Sequence, residues 1–140
     1  MIQRIQSLYL LLAALCFFVL LMLDLPYGSP AAADAWFTPF VMIGAVLLGL
    51  ASLGSILLFK NREQQLRVIN GVQLAAVAYL IVFFGGLYFA GDLHFQRGGA
   101  TDAEKVVSLF LPILGYVMLF LARRGVAADI ALVRSMDRLR

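Results

Sequence analysis

The apolar positions of this chain fall in four long blocks separated by short polar stretches. The blocks cover residues 7–25, 39–59, 68–90 and 106–122. Each is close to the roughly 20 residues that an α-helix needs to cross about 30 Å of hydrocarbon. Their apolar residues are continuous and do not alternate with a period of two, which argues against strands. Lipid offers no partner to a backbone N–H or C=O, so an uninterrupted run satisfies its own backbone only as a helix. Asp24 is the only charged residue in any block, and it stands at an end. The pattern predicts an all-α membrane protein, a four-helix transmembrane bundle of two antiparallel hairpins in a single domain over 1–140. The connections, about 26–38 and 91–105 on one side and 60–67 on the other, are too short for a soluble domain and make consecutive helices neighbours.

Local signals place the helix starts. Thr38-Pro39 sets a capping oxygen before a proline at the first helical position, where no N–H is needed. Thr101-Asp102-Ala103-Glu104 fits a capping box, so the fourth helix is expected to begin near Asp102, outside the membrane. Ser29-Pro30 suits a short turn through Ala31-Ala32-Ala33, and Gly91 and Gly98-Gly99 punctuate the second outer loop. Pro112, with Gly115 close behind it, is expected to kink the fourth helix.

Composition supports the bilayer. Of 140 residues, 63% are hydrophobic and 14% charged, against about a quarter charged in soluble domains. So small a soluble protein has no core large enough for this much apolar surface. The net charge of +3 raises nucleic acid as a partner, but the cations separate by side instead of clustering. Arg4, Lys60, Arg62, Arg67, Arg123, Arg124, Arg134, Arg138 and Arg140 fall on one side, and only Arg97 and Lys105 on the other. Nine against two is a positive-inside bias that places both chain ends in the cytoplasm. Tyr27, Trp36, Phe37, Phe40, Tyr88 and Phe89 lie near the outer boundary, as an aromatic belt does.

Two processing readings compete. A signal peptide cleaved near Ala33-Asp34-Ala35 leaves three spans, although the apolar run is long for a signal core and the site lies well beyond its end. Ala13-Ala14-Leu15-Cys16 loosely matches a lipoprotein cleavage box, but leucine precedes the cysteine where a small residue is expected. Cys16 is the only cysteine, so it forms no intrachain disulfide and reads as a small buried hydrophobe.

The candidate site residues form three groups. Ala45, Gly49 and Ser52 in the second span, and Gly71, Ala75 and Ala78 in the third, repeat small residues at i, i+4, i+7. Such stripes let helix backbones approach closely, either within the bundle or against another protein. Asp24, Asn70 and Gln73 are the candidate intramembrane polar residues; Asp24 reads as an interfacial acid, the other two as helix-to-helix bonds. Arg4, Arg123, Arg124, Arg134, Asp137, Arg138 and Arg140 are candidates for lipid-headgroup contact or cytoplasmic docking. In the tail (123–140), an amphipathic helix is expected from Val126, with Leu132, Met136 and Leu139 on one face, Arg134 and Arg138 on the other, and Asp137 within reach of Arg134. That tail suits either the membrane surface or a partner protein. His94, the only histidine, stands near Asp92, Asp102 and Glu104 without a zinc-type spacing. No nucleophile–base set, phosphate loop or paired intramembrane carboxylates occur. The expectation is a chain without catalytic residues, metal or cofactor.

The opening Met1-Ile2-Gln3-Arg4-Ile5-Gln6, followed by Tyr9-Leu10-Leu11-Leu12-Ala13-Ala14, and the closing Leu132-Val133-Arg134-Ser135-Met136-Asp137-Arg138-Leu139-Arg140 resemble a family of small four-span proteins of Bacteroidota-type bacteria, the domain of unknown function 4293. The resemblance is most specific at these two ends and implies an inner-membrane location, with no assigned activity and no site residues to transfer. The leading functional expectation is a non-enzymatic accessory or assembly subunit of a membrane complex, with lipid and other membrane subunits as partners and no nucleic acid. The alternative is a small oligomeric transporter or channel, whose midplane polar groups are limited to Ser52, Ser55, Tyr79 and Tyr116.

Overall fold

The computed structural model describes residues 2–23, 30–91, 93, 96–97, 100–101 and 103–137. Among the described residues the regular structure is helical, apart from one small strand pair. Helix α1 spans Ile2–Leu20 (19 residues). A single 3-10 turn at Pro30–Ala33 leads into α2, Phe37–Leu57 (21 residues). Helix α3 spans Arg62–Phe89 (28 residues). A two-residue antiparallel pair follows, β1 (Gln96–Arg97) with β2 (Ala100–Thr101), in register Gln96↔Thr101 and Arg97↔Ala100. Helix α4 then runs unbroken from Ala103 to Asp137 (35 residues). Helices α2, α3 and α4 are long and apolar enough to cross a membrane, and α1 carries a shorter apolar stretch, Ile5–Leu20.

The element boundaries differ from expectation for identifiable reasons. Helix α1 ends at Leu20, and 3-10-type bonds close its last turn, from Leu21 N–H to Phe18 O and from Met22 N–H to Val19 O. Asp24, expected at the end of that span, lies outside the described residues. Thr38 does not cap α2. The helix begins two residues earlier, at Phe37, with Trp36 at the capping position and no side-chain cap. The preceding turns lead the chain in instead, through Phe37 N–H to Asp34 O (3.0 Å). Pro39 still falls in the first turn, where a missing N–H costs nothing. Helix α3 begins six residues before the apolar block, at Arg62, because Asn61 caps it. The Asn61 side chain accepts from Gln64 N–H (3.3 Å), and Glu63 in the first turn suits the positive end of the helix dipole.

The packing closes a ring. Helix α1 packs on α2 and α4, and α3 packs on the same two, the α1–α4 seam being the most extensive. Close approaches fix the direction of each pair. A Cβ at Gly125 would lie 2.9 Å from Gln6 Cγ, and one at Gly115 3.1 Å from the Phe17 ring, so α1 and α4 run in opposite directions. Gly86 meets Phe37 and Gly44 meets Tyr79, which does the same for α2 and α3. Between lipid-soluble helices there is little hydrophobic drive, so this knob-to-backbone fit is what selects partners. The core holds Leu10, Phe17, Val41, Ile69, Phe83 and Leu119, all fully buried. Phe37, expected in the outer aromatic belt, is buried there too, while Trp36, Tyr88 and Phe89 are exposed. Tyr79 stacks between Phe40 (5.6 Å) and Phe83 (5.9 Å).

Candidate interaction surfaces

The two small-residue stripes have opposite fates. On α2, Ala45 and Ser52 are fully buried, and the Phe18 ring of α1 lies against Gly49, 2.7 Å from where a Cβ would stand. That stripe is consumed by the chain's own packing. On α3, Gly71, Ala75 and Ala78 are exposed, and nothing lies within 4 Å of a Cβ added at Gly71. These three do not serve the bundle's internal packing. They form one wall of an open groove of about 450 Å³ between α2 and α3. The facing wall is Phe40, Gly44, Leu47 and Ala51.

Polar groups at membrane depth are mostly engaged. Ser52 Oγ donates to Leu48 O (2.7 Å) and Ser55 Oγ to Ala51 O (2.8 Å), both one turn back on their own helix. Tyr79 O–H donates to Val41 O (3.2 Å), tying α3 to α2. Gln73, buried as a helix-to-helix bond requires, links α3 to α4. Its Nε2 donates to Tyr116 Oη (3.4 Å), and its Oε1 accepts from Arg123 (3.5 Å). Asn70 is exposed and joins no such link among the described residues. Gln65 was not singled out by the sequence, yet its buried amide donates to Ser55 O (3.1 Å) and so satisfies a carbonyl at the end of α2. Gln6 is 4% exposed, and its Nε2 has no hydrogen-bond partner among the described residues. Both glutamines sat in polar flanks that hydropathy reads only as boundaries.

At the end where α3 begins and α4 finishes, the two helices continue together past the apolar blocks. Arg62 meets Asp129 (2.8 Å), a pair in which the carboxylate side chain is only 13% exposed. The contact is ionic but off the axis of a hydrogen bond, so Asp129 Oδ2 has no hydrogen-bonded donor. Arg134 donates to Glu63 Oε1 (2.9 Å), an exposed pair. The partner expected for Arg134 was Asp137, whose side chain lies outside the described residues. The tail is thus a continuation of α4 held to α3, not a separate helix. Of the other docking candidates, Arg123 and Arg124 are exposed on α4. Arg138, Arg140 and the Arg4 side chain lie outside the described residues, as do Asp92, His94 and Asp102. Among the described residues, no group of three or more His, Cys, Asp or Glu is placed to hold a metal ion.

Helices long and apolar enough to cross a bilayer, exposed faces rich in leucine and valine, and charges gathered at the helix ends together define a small helical membrane protein. The family model described as a domain of unknown function (DUF4293) matches residues 2–139, and the chain belongs to that family. No curated protein and no solved structure matches it.

Proposed function

We propose that this protein is a non-enzymatic accessory or assembly subunit of a bacterial inner-membrane complex, crossing the membrane four times with both ends in the cytoplasm. The orientation rests on the nine-to-two bias of lysine and arginine. The observation that carries the interaction reading is the contrast between the two stripes. The chain fills Gly44, Gly49, Gly86 and Gly115 with its own aromatic rings, yet leaves Gly71, Ala75 and Ala78 open along a groove. A lipid-facing surface needs no such close-approach face, whereas a second membrane helix does.

The transporter or channel alternative has less support. Ser52, Ser55 and Tyr79 donate to backbone carbonyls and Tyr116 bonds Gln73, so these groups are committed to structure. The test is extraction of the tagged full chain from native membranes into lipid nanodiscs, followed by mass and stoichiometry. Recovery with stoichiometric membrane partners is expected, and Gly71→Leu should abolish it while leaving the bundle folded. Recovery solely as a monomer, or partner recovery indifferent to Gly71→Leu, overturns the reading.

A further inference from the structure

The aqueous end of α3 and α4 carries a second opening, distinct from the membrane groove. It is about 790 Å³ in volume. Its floor is apolar: Leu66, Ala127, Ile130 and Ala131. Its rim is polar: Glu63, Arg67, Arg134 and Ser135. Just beside it α4 exposes Leu132, and Met136 is 62% exposed.

Position decides what these apolar side chains mean. The apolar block of α4 stops at Ala122, and Arg123 and Arg124 mark the hydrocarbon edge. Ser135 lies twelve residues beyond Arg123, about 18 Å along the helix at 1.5 Å per residue. The headgroup layer adds only roughly 5–8 Å per side, and ordinary helix tilt shortens the projection little. The ion pairs to α3 hold α4 in line with the bundle, so it does not turn into the membrane plane. The far half of the opening therefore stands in water, beyond the reach of acyl chains. Leu132 and Met136 are exposed at that distance beside a charged rim, and exposed apolar side chains in water mark a protein contact.

Charge selects the partner. The stretches 60–67 and 123–136 hold six cations (Lys60, Arg62, Arg67, Arg123, Arg124, Arg134) against two acids. Both acids are already engaged, Asp129 by Arg62 and Glu63 by Arg134. Arg67, on the rim, has no carboxylate partner among the described residues. The rim itself carries two cations, Arg67 and Arg134, against one acid, Glu63, so its net charge is positive. A second copy is a poor occupant, since its stretches 60–67 and 123–136 carry the same excess of cations and like charges repel.

We propose that this groove binds an acidic amphipathic helix of another protein, seated with its apolar face on Leu66, Ile130 and Ala131 and a carboxylate at Arg67. From Ala127 to Ser135 the groove follows about two turns of α4, which matches a short helix presenting anchors at i, i+3 or i+4, and i+7. The inference rests on the interaction-subunit reading and names the chemistry of one partner segment.

The test places a photo-crosslinking amino acid at Ala131 in one sample and at Ala75 in another, both in the full chain in native membranes. Adduct peptides are then sequenced by mass spectrometry. The expected adduct at Ala131 is an acidic amphipathic segment of a different protein. Arg67→Glu should cut its yield about tenfold and Arg67→Lys should preserve it, with Ala75 adducts unchanged. Adducts at Ala131 only to lipid, to a second copy or to a basic segment overturn the proposal, as does a yield indifferent to charge at residue 67. Protein adducts at Ala75 with none at Ala131 overturn the groove and leave the membrane-face reading standing. No protein adduct at either position overturns both. An acidic adduct at Ala131 with only lipid at Ala75 supports the groove and overturns the role of the membrane face.

Discussion

Gly44→Ala and Gly71→Ala are the same chemical change on two lipid-embedded helices, and the structure predicts opposite outcomes. At Gly44 the new methyl would sit 2.6 Å from both Cδ2 and Cε2 of Tyr79. Ordinary carbon contacts lie near 3.5–4.0 Å, so the ring must recede by roughly 1 Å. It has nowhere to go: Phe40 stacks at 5.6 Å, Phe83 at 5.9 Å, and the hydroxyl is held by Val41 O at 3.2 Å. Overpacking of this kind costs about 1–3 kcal/mol, and a weakened membrane hydrogen bond adds roughly 0.6 kcal/mol. Alanine in place of glycine returns about 1 kcal/mol of helix propensity, which leaves a net loss of roughly 0.6–2.6 kcal/mol. At Gly71 nothing lies within 4 Å of the methyl, so only the propensity gain remains and the isolated bundle should be unchanged or slightly more stable. The assay is reversible unfolding of each variant in bicelles, followed by the fluorescence of Trp36, which packs edge-on to Phe37 at 5.8 Å. Tyr79→Leu, which removes the obstructing ring, should make Gly44→Ala much less costly than it is alone, a non-additivity that marks direct contact. Equal stabilities for Gly44→Ala and Gly71→Ala, or a larger loss at Gly71, would refute the packing argument.

Three further outcomes are expected. Asn61→Ala should cost about 1 kcal/mol by removing the α3 cap, with Asn61→Asp neutral; the same unfolding assay applies, and an Ala variant as stable as the parent chain counts against the assigned cap. A double-mutant cycle on Arg62 and Asp129 should give a larger coupling than one on Glu63 and Arg134, because Asp129 is 13% exposed whereas both members of the other pair face water; the exposed pair should be worth 0–1 kcal/mol and fade with salt. Cysteine replacing Ser135 should react with a membrane-impermeant maleimide only after the inner face is opened, and cysteine replacing Asp34 should react from outside. The reverse labelling pattern would overturn the orientation.

Each of the four apolar blocks overlaps one of the four helices, because hydropathy measures the apolar surface that these residues present. It failed where the helix is held by something else. The start of α3 is polar, and it is helical because Asn61 caps it and Gln65 bonds back to Ser55 O. The expected cap at Thr38 failed for the converse reason: the favourable Thr-Pro pair is overridden by Phe37, whose ring is drawn into the core against Gly86. The two small-residue stripes are the sharpest case. Ala45-Gly49-Ser52 and Gly71-Ala75-Ala78 have the same spacing, and spacing alone assigns them the same role. What separates them is whether a bulky ring from another helix arrives, and Phe18 reaches Gly49 while no side chain reaches Gly71. That depends on the rotation of α3 in the ring, which no single stretch of sequence contains.

Helix α3 borders both openings, and its sequence order matters. Glu63, Leu66 and Arg67 line the aqueous groove with α4, and Gly71, Ala75 and Ala78 line the membrane groove with α2. Arg67 and Gly71 are four residues apart, about one turn, so the two openings meet on neighbouring faces of one helix. A partner with a small-residue transmembrane helix and an acidic juxtamembrane extension can occupy both at once. Occupying the first then raises the local concentration of the second, so each contact can be weak alone. This also accounts for why α4 continues in one helix well past its apolar block. A tail joined by a flexible linker would let the aqueous groove drift relative to the membrane groove, whereas a continuous helix pinned to α3 by Arg62–Asp129 and Glu63–Arg134 keeps the two in fixed register.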